Sequence, residues 1–285
     1  MRKLLSVLTD KEVLSLVTDI TYSTVPAWYN ATFQDLKMDL LIPKHRTENK
    51  RLPLIIWICG GAFSITDKSV WMPEMVYYAE RGYIVASIEY RTSNQAPFPA
   101  ALIDVKAAIR YLKKHACRFC IDTERIFVMG ESAGGTLAAL AGLTAGQKEF
   151  EQGDFQEEDS QVNGVIDFYG IHDFSMKGVM TANENVPSWA GEAFLASDGA
   201  LSSEERASAV NYVNGNSVPF LIFHGTKDET VNIRQSDILY DKLTACGVYT
   251  EYYQIDGALH GADIFYSAEV KELVISFMEK IQKNQ

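Results

Sequence analysis

No apolar run in this sequence approaches the roughly 20 residues that a membrane-crossing helix needs. The first twelve residues open with Arg2 and Lys3 as a secretory signal does. Their apolar stretch is interrupted, however, meets charge at Asp10 and offers no small-residue cleavage site. The expectation is a soluble, cytoplasmic protein without a membrane partner. Cysteine is sparse: Cys59, Cys117, Cys120 and Cys246 suit free thiols in a reducing compartment. Cys117 and Cys120 have C-x-x-C spacing, but they trail a helix and no second pair completes a zinc site, so no metal is expected. Basic charge is also short, with 26 Lys+Arg against 37 Asp+Glu and a net charge of −11. That balance argues against nucleic acid and anionic membrane surfaces as partners. Much of the acidity lies in residues 148–159, expected to be a solvated loop. Without secretion, the sequon at Asn30 stays idle.

No linker, composition shift or internal repeat divides the 285 residues, and 47% of them are hydrophobic. One domain over 1–285 is therefore expected. Residues 10–17 read as a short opening helix. Residues 32–42 alternate apolar and polar, as a half-buried antiparallel strand does. Residues 53–59 form a continuous apolar run, which suits a central parallel strand covered on both faces. Further strands are expected at 83–90, 126–129, 162–169, 218–225 and 248–255. Helices are expected at 70–81, 100–116, 232–245 and 264–281, with Asp122 and Thr123 as a cap or turn. Residues 171–215 break this rhythm and read as an inserted partial lid. Strands alternating with helices point to an α/β, doubly wound, mostly parallel sheet with an antiparallel start.

The richest stretch is the apolar run 126–129, then Gly130-Glu131-Ser132-Ala133-Gly134, then an Ala/Leu-rich segment. A chain turning from strand to helix within a residue or two needs glycines for close packing. This is a G-x-S-x-G nucleophile elbow, with Ser132 at its apex and the first helix amides behind it. A serine hydroxyl needs a base within reach, and the base works best when an acid orients it. Among five histidines, His260 lies in the glycine-bounded loop 257–261 after the last strand. His172 and His224 are its rivals, His224 reading as structural. For the acid, Asp228 follows the strand at 218–225, where an aspartate also suits a helix cap; Asp256, Asp263 and Asp173 are alternatives. The order Ser132, Asp228, His260 matches α/β-hydrolases and not chymotrypsin or subtilisin. An oxyanion needs preorganised donors: the Ala133 amide is one, and the loop Cys59-Gly60-Gly61-Ala62-Phe63 supplies others.

At this point the sequence resembles the hormone-sensitive-lipase-type branch of α/β-hydrolases, and most of all bifunctional feruloyl/acetyl-xylan esterases and related carbohydrate acetyl esterases. The residues that carry the resemblance are 53–63, 90–91, 96–100, 104–108, 130–135, 223–228 and 257–261. It implies an α/β-hydrolase fold of about eight strands with a small lid. It also implies a Ser132–His260–Asp228 triad, and an oxyanion hole from the amides of Gly60, Gly61 and Ala133. The sequence departs from the family pattern at Cys59, where relatives carry histidine, and at Ala62, where they carry a third glycine. The implied activity is a cofactor-free serine carboxylesterase that acts through an acyl-enzyme. Its partner would be a small-molecule ester, with acetyl groups on plant-derived oligosaccharides as the leading substrate. Phe63, Trp71 and Trp189 are candidates to line a sugar or acyl pocket. An amidase or peptidase of the same fold is the first rival, separated by parallel ester and amide panels. A non-catalytic ligand-binding member is the second, excluded if a phosphonate labels Ser132.

Overall fold

The computed structural model of the protein describes residues 2–6, 13–27, 30–44, 51–176, 194–195 and 203–283. Strand β3 (Leu52–Ile58) is buried at every position, as its unbroken apolar sequence requires. Successive side chains go to opposite faces. Leu54, Ile56 and Ile58 pack with Leu102, Val105 and Ile109 of helix α2 (Ala100–Lys114), Phe119 of the short α3 (Ala116–Phe119) and Leu137 of α4 (Ala133–Leu143). Ile55, Trp57 and Cys59 pack on the other face with Met72 and Met75 of α1 (Met72–Ala79) and Val274 of the C-terminal helix. Strand β5 (Ile121–Glu131) divides its residues in the same way, so helices cover the sheet on both sides.

With β1 (Leu14–Ala27), β2 (Thr32–Pro43), β4 (Ile84–Ile88), β6 (Gly164–Phe168), β7 (Phe220–Gly225) and β8 (Thr250–Ile255), the order across the sheet is β1-β2-β4-β3-β5-β6-β7-β8. The first two pairings are antiparallel and all the others parallel. Ile58 pairs with Gly130, Glu131 with Phe168, Phe168 with Phe223, and Gly225 with Ile255. The carboxyl ends of β3, β5, β6, β7 and β8 therefore share one rim, where ligands of open α/β sheets bind. No helix among the described residues is long and apolar enough to cross a membrane.

Three expectations need correction. Residues 14–17 are strand and not helix: they pair with β2, Leu14 facing Pro43 and Leu16 facing Leu41, while 10–12 lie outside the described residues. Hydrogen bonds to a partner strand override the local spacing there, and bulges after Val17 and Thr21 irregularise this edge. Asp122 and Thr123 lie inside β5, although the Asp122 carboxylate still takes the Glu124 N–H as in a turn. The expected last helix is two pieces, a 3₁₀ turn Asp263–Tyr266 and a helix Ala268–Lys283, divided by extended Ser267. The helix expected at 232–245 runs Arg234–Ala245. Most of the expected lid, 177–193 and 196–202, falls outside the described residues. The rest holds a helical turn Ser203–Ala207 and a 3₁₀ turn Ala209–Tyr212.

The acidic loop 148–159 is exposed in large part, but it is not merely solvated. Glu151 accepts from Lys106 Nζ and Arg110 Nη1, both at 2.7 Å, and from the Ser160 hydroxyl at 2.5 Å. Lys106 and Arg110 on α2 are themselves fully buried, and the loop folds back to neutralise them.

Candidate active site

Between β5 and α4 a single residue, Ser132, makes the turn with φ +53° and ψ −120°. A non-glycine residue there costs about 1–3 kcal/mol and persists only when its surroundings fix it. The Ser132 N–H donates to Phe168 O at 2.8 Å, and Ser132 O accepts from Thr136 N at 3.0 Å. Gly134 lets the helix touch the sheet, since a Cβ there would sit 2.0 Å from Ile58 O. Gly130 is as tight, 2.3 Å from Gly134 O. Every residue of α4 is buried, which is why its sequence is apolar on all sides.

The loop after β8 brings His260 to the same rim. His260 Nε2 is 3.0 Å from Ser132 Oγ, and Nδ1 is 2.7 Å from Asp228 Oδ2. A carboxylate only accepts, so Nδ1 carries the proton and Nε2 is left to accept from the hydroxyl. Asp228 is not the cap of the following helix, which starts at Arg234 with Ile233 at its N-cap, but it binds on two sides. Its Oδ1 caps the turn after β7 by taking the Thr230 and Val231 N–H groups at 2.8 Å each, while Oδ2 faces the imidazole. Burial opposes the charge on Asp228. Hydrogen bonds from His224, His260 and Val231 N–H, with the charge of His260, prevail and hold its pKa well below the usual carboxylate range.

Among the described residues, none of the rivals hydrogen-bonds to Ser132 Oγ. His172 is fully buried with Nε2 2.9 Å from Asp167 Oδ2. His224 contacts Ser236 Oγ at 2.7 Å and Val231 O at 3.0 Å, packed against the loop that follows as expected. Asp256 accepts from Thr226 Oγ1, and Asp173 from Ser175. Among the described residues, no three His, Cys, Asp or Glu side chains are grouped to hold a metal ion. All four cysteines are free.

In the loop after β3, Gly61, Ala62 and Phe63 have φ of 137°, 52° and 57°. Gly61 O gathers the N–H groups of Ser64 and Ile65, which closes the loop. The amides of Gly61, Ala62 and Ala133 donate to no acceptor among the described residues. Gly60 differs from expectation: its N–H is given to Glu131 Oε1 at 2.8 Å and is not free for an oxyanion. Cys59 braces the loop from beneath. Its Sγ accepts from Asp67 N at 3.4 Å, and its carbonyl accepts from Tyr90 Oη at 2.9 Å.

Of the three aromatic pocket candidates, Trp71 stacks on Tyr266 at 4.3 Å and donates Nε1–H to Glu131 at 3.1 Å. Phe63 is only 2% exposed and stacked on Phe194 at 3.9 Å, so it packs the loop against Phe194 and Phe174. Trp189 lies outside the described residues. Sequence reasoning passed over Glu131, because the variable position of G-x-S-x-G carries no signal of its own, and Tyr169, which directly follows the apolar strand β6 and reads as part of its core.

The BD-FAE family model matches residues 38–243. Esterase LipQ of Mycobacterium tuberculosis (strain ATCC 25618 / H37Rv) is 31% identical over 240 residues, which are 80% of this chain and 55% of that protein. The probable carboxylic ester hydrolase LipM of the same organism is 30% identical over 227 residues, 79% of this chain and 52% of LipM. The chain thus spans about half the length of these relatives. A truncated carbohydrate esterase from gut microbiota superposes with a TM-score of 0.78 at 24% identity, covering 97% of this chain and 99% of that one. Butyrate-bound Est2, an esterase of Thermogutta terrifontis, gives 0.77 at 25% identity, covering 92% and 93%. Fold and family model agree: the chain belongs to the BD-FAE family and has the α/β-hydrolase fold.

Proposed function

We propose that the protein is a serine carboxylesterase, working through Ser132, His260 and Asp228. The observation that supports it is the unbroken chain from Ser132 Oγ through both nitrogens of His260 to Asp228 Oδ2, at 3.0 and 2.7 Å. Ser132 Oγ attacks the ester carbonyl while His260 Nε2 takes its proton. Asp228 keeps the imidazole in the accepting tautomer and offsets the charge that it gains. The oxyanion is received by the amides of Gly61 and Ala133, with Ala62 beside them. His260 then returns the proton to the departing alcohol, leaving an acyl-serine. Water, activated by the same imidazole, releases the acid and restores the hydroxyl.

The substrate proposed is a small acyl ester, acetyl foremost, on a plant-derived oligosaccharide. Its support is the motif resemblance and the likeness to a structure described as a carbohydrate esterase. Acetate release from acetylated xylo-oligosaccharides should exceed ferulate release from feruloylated ones. Wild type should hydrolyse nitrophenyl acetate and Ser132→Ala should not. A Ser132→Ala variant with full activity would end the mechanism.

A further inference from the structure

The Glu131 side chain, beside Ser132 on the rim, receives donors from three separate segments. Oε1 accepts Gly60 N–H at 2.8 Å and Trp71 Nε1–H at 3.1 Å, and Oε2 accepts Tyr169 Oη–H at 3.1 Å. Residue 131 is only 9% exposed, so these three donors have little access to water as a substitute. Each donor belongs to a part of the site. Gly60 opens the loop whose next three residues sit at positive φ. Trp71 stacks on Tyr266, and the ring of Tyr169 stands edge-on to His260 at 4.7 Å. The backbone at Gly60 lies so close that a Cβ there would be 2.8 Å from Glu131 Oε1 and 3.0 Å from Ser132 Cβ.

We propose that Glu131 is a positioning residue: its carboxylate ties the 60–62 backbone and the Tyr169 ring into fixed register with Ser132 and His260. This rests on the esterase reading above. Backbone held at positive φ in non-glycine residues persists only where neighbours determine it. Among the described residues, Glu131 provides the one side-chain acceptor for an amide of 60–62. The tether runs from the nucleophile's own neighbour, so the strand that fixes Ser132 also fixes the loop facing it. Without that acceptor the Gly61 amide loses its fixed place. Losing one oxyanion donor outright costs roughly 10²–10³ in turnover, and a donor that is merely loosened costs less.

The test compares wild type, Glu131→Ala and Glu131→Gln by steady-state kinetics on nitrophenyl acetate and by hydrogen exchange of peptides spanning 59–71. Glu131→Ala should lower kcat by about 10- to 100-fold with KM changed less than about threefold, and should speed exchange in 59–66. Glu131→Gln keeps an oxygen for Gly60 and Trp71 and offers its NH₂ to the Tyr169 hydroxyl, which also accepts. It should restore both readouts to near wild type. Unchanged exchange in Glu131→Ala overturns the proposal, as does unchanged kcat, or a Gln variant as impaired as Ala. If wild type hydrolyses no ester, the esterase reading has failed, and the exchange measurement alone decides whether Glu131 holds the loop.

Discussion

His224 Nε2 lies 3.3 Å from Asp228 Oδ2, the oxygen that also receives His260 Nδ1–H at 2.7 Å. One carboxylate oxygen thus faces an imidazole on each side. Val231 O accepts from His224 Nε2 at 3.0 Å, so that nitrogen carries its proton, and Nδ1 takes the Ser236 hydroxyl. His224→Phe fills the space but donates nothing and strands the Ser236 hydroxyl. It should cost about 1–3 kcal/mol in urea unfolding. It should also lower kcat on nitrophenyl acetate, because Asp228 loses a partner that fixes its oxygen. Wild-type kcat in a correctly folded His224→Phe variant would show that Asp228 needs no support from behind.

The depressed pKa of Asp228 makes stability depend on acid. An unfolded aspartate titrates at about 3.9, and the folded one lies well below it. As pH falls, the unfolded chain therefore binds the proton first. The stabilisation is fully present above the unfolded value and drains away as pH drops through and below it. Glu151, also lowered despite its burial by bonds from Lys106 and Ser160, adds to the same acid limb. In urea titrations the advantage of wild type over Asp228→Asn should shrink steadily below about pH 4. A difference that stays constant from neutral pH to pH 3 would contradict the assignment.

Ser132 trades stability for geometry. At φ +53° any Cβ is strained, whereas glycine adopts such angles freely. Ser132→Gly should therefore exceed Ser132→Ala in stability by about 1 kcal/mol, read by thermal unfolding. Both should lose activity by as much as about 10⁶-fold in kcat. An alanine variant as stable as the glycine variant would mean that the elbow is not strained.

What the sequence disclosed, and what it hid, follows from how local each feature is. The run Leu54–Ile58 announces a doubly covered strand, because every residue must be apolar to face helices on both sides. The elbow is legible because its glycines, serine and apolar helix are contiguous. The Leu14–Val17 segment reads as helix because its partner lies on β2, 23 to 29 positions along, and pairing outweighs spacing. Glu131 and Gly60 are 71 positions apart. No local pattern shows that the carboxylate takes that amide, so Gly60 looked like an oxyanion donor. The acidic loop hid its role for the same reason.

That loop offers a direct test. Lys106 is 0% and Arg110 1% exposed, and Glu151 bonds to both. Removing the acid leaves two buried cations without their shared counter-ion, a change that costs about 3–5 kcal/mol. Glu151→Gln should show this in urea unfolding, whereas Glu157→Gln, which pairs on the surface with Lys114, should lie within about 1 kcal/mol of wild type. Equal losses in the two variants would mean that the loop is solvated after all.

The contact between helix and sheet behind Ser132 should be the least tolerant point of the fold. An alanine Cβ at Gly134 would meet Ile58 O at 2.0 Å, Ile58 C at 2.7 Å and Cys59 C at 2.9 Å. All three are main-chain atoms of a central strand and the loop leaving it, so none can rotate aside. Alanine normally favours a helix over glycine by about 1 kcal/mol, but here α4 would have to lift off β3. The loss should exceed about 3 kcal/mol in urea unfolding. Gly146→Ala is the control: its φ of +79° carries a penalty of about 1–2 kcal/mol, but its Cβ would meet nothing within 4 Å. Lifting α4 would also carry the Ala133 amide away from the Gly61 loop. Any folded Gly134→Ala should therefore lose kcat, and Gly146→Ala should keep it. If the two variants unfold at the same urea concentration, the close approach of α4 to β3 is not what sets the elbow.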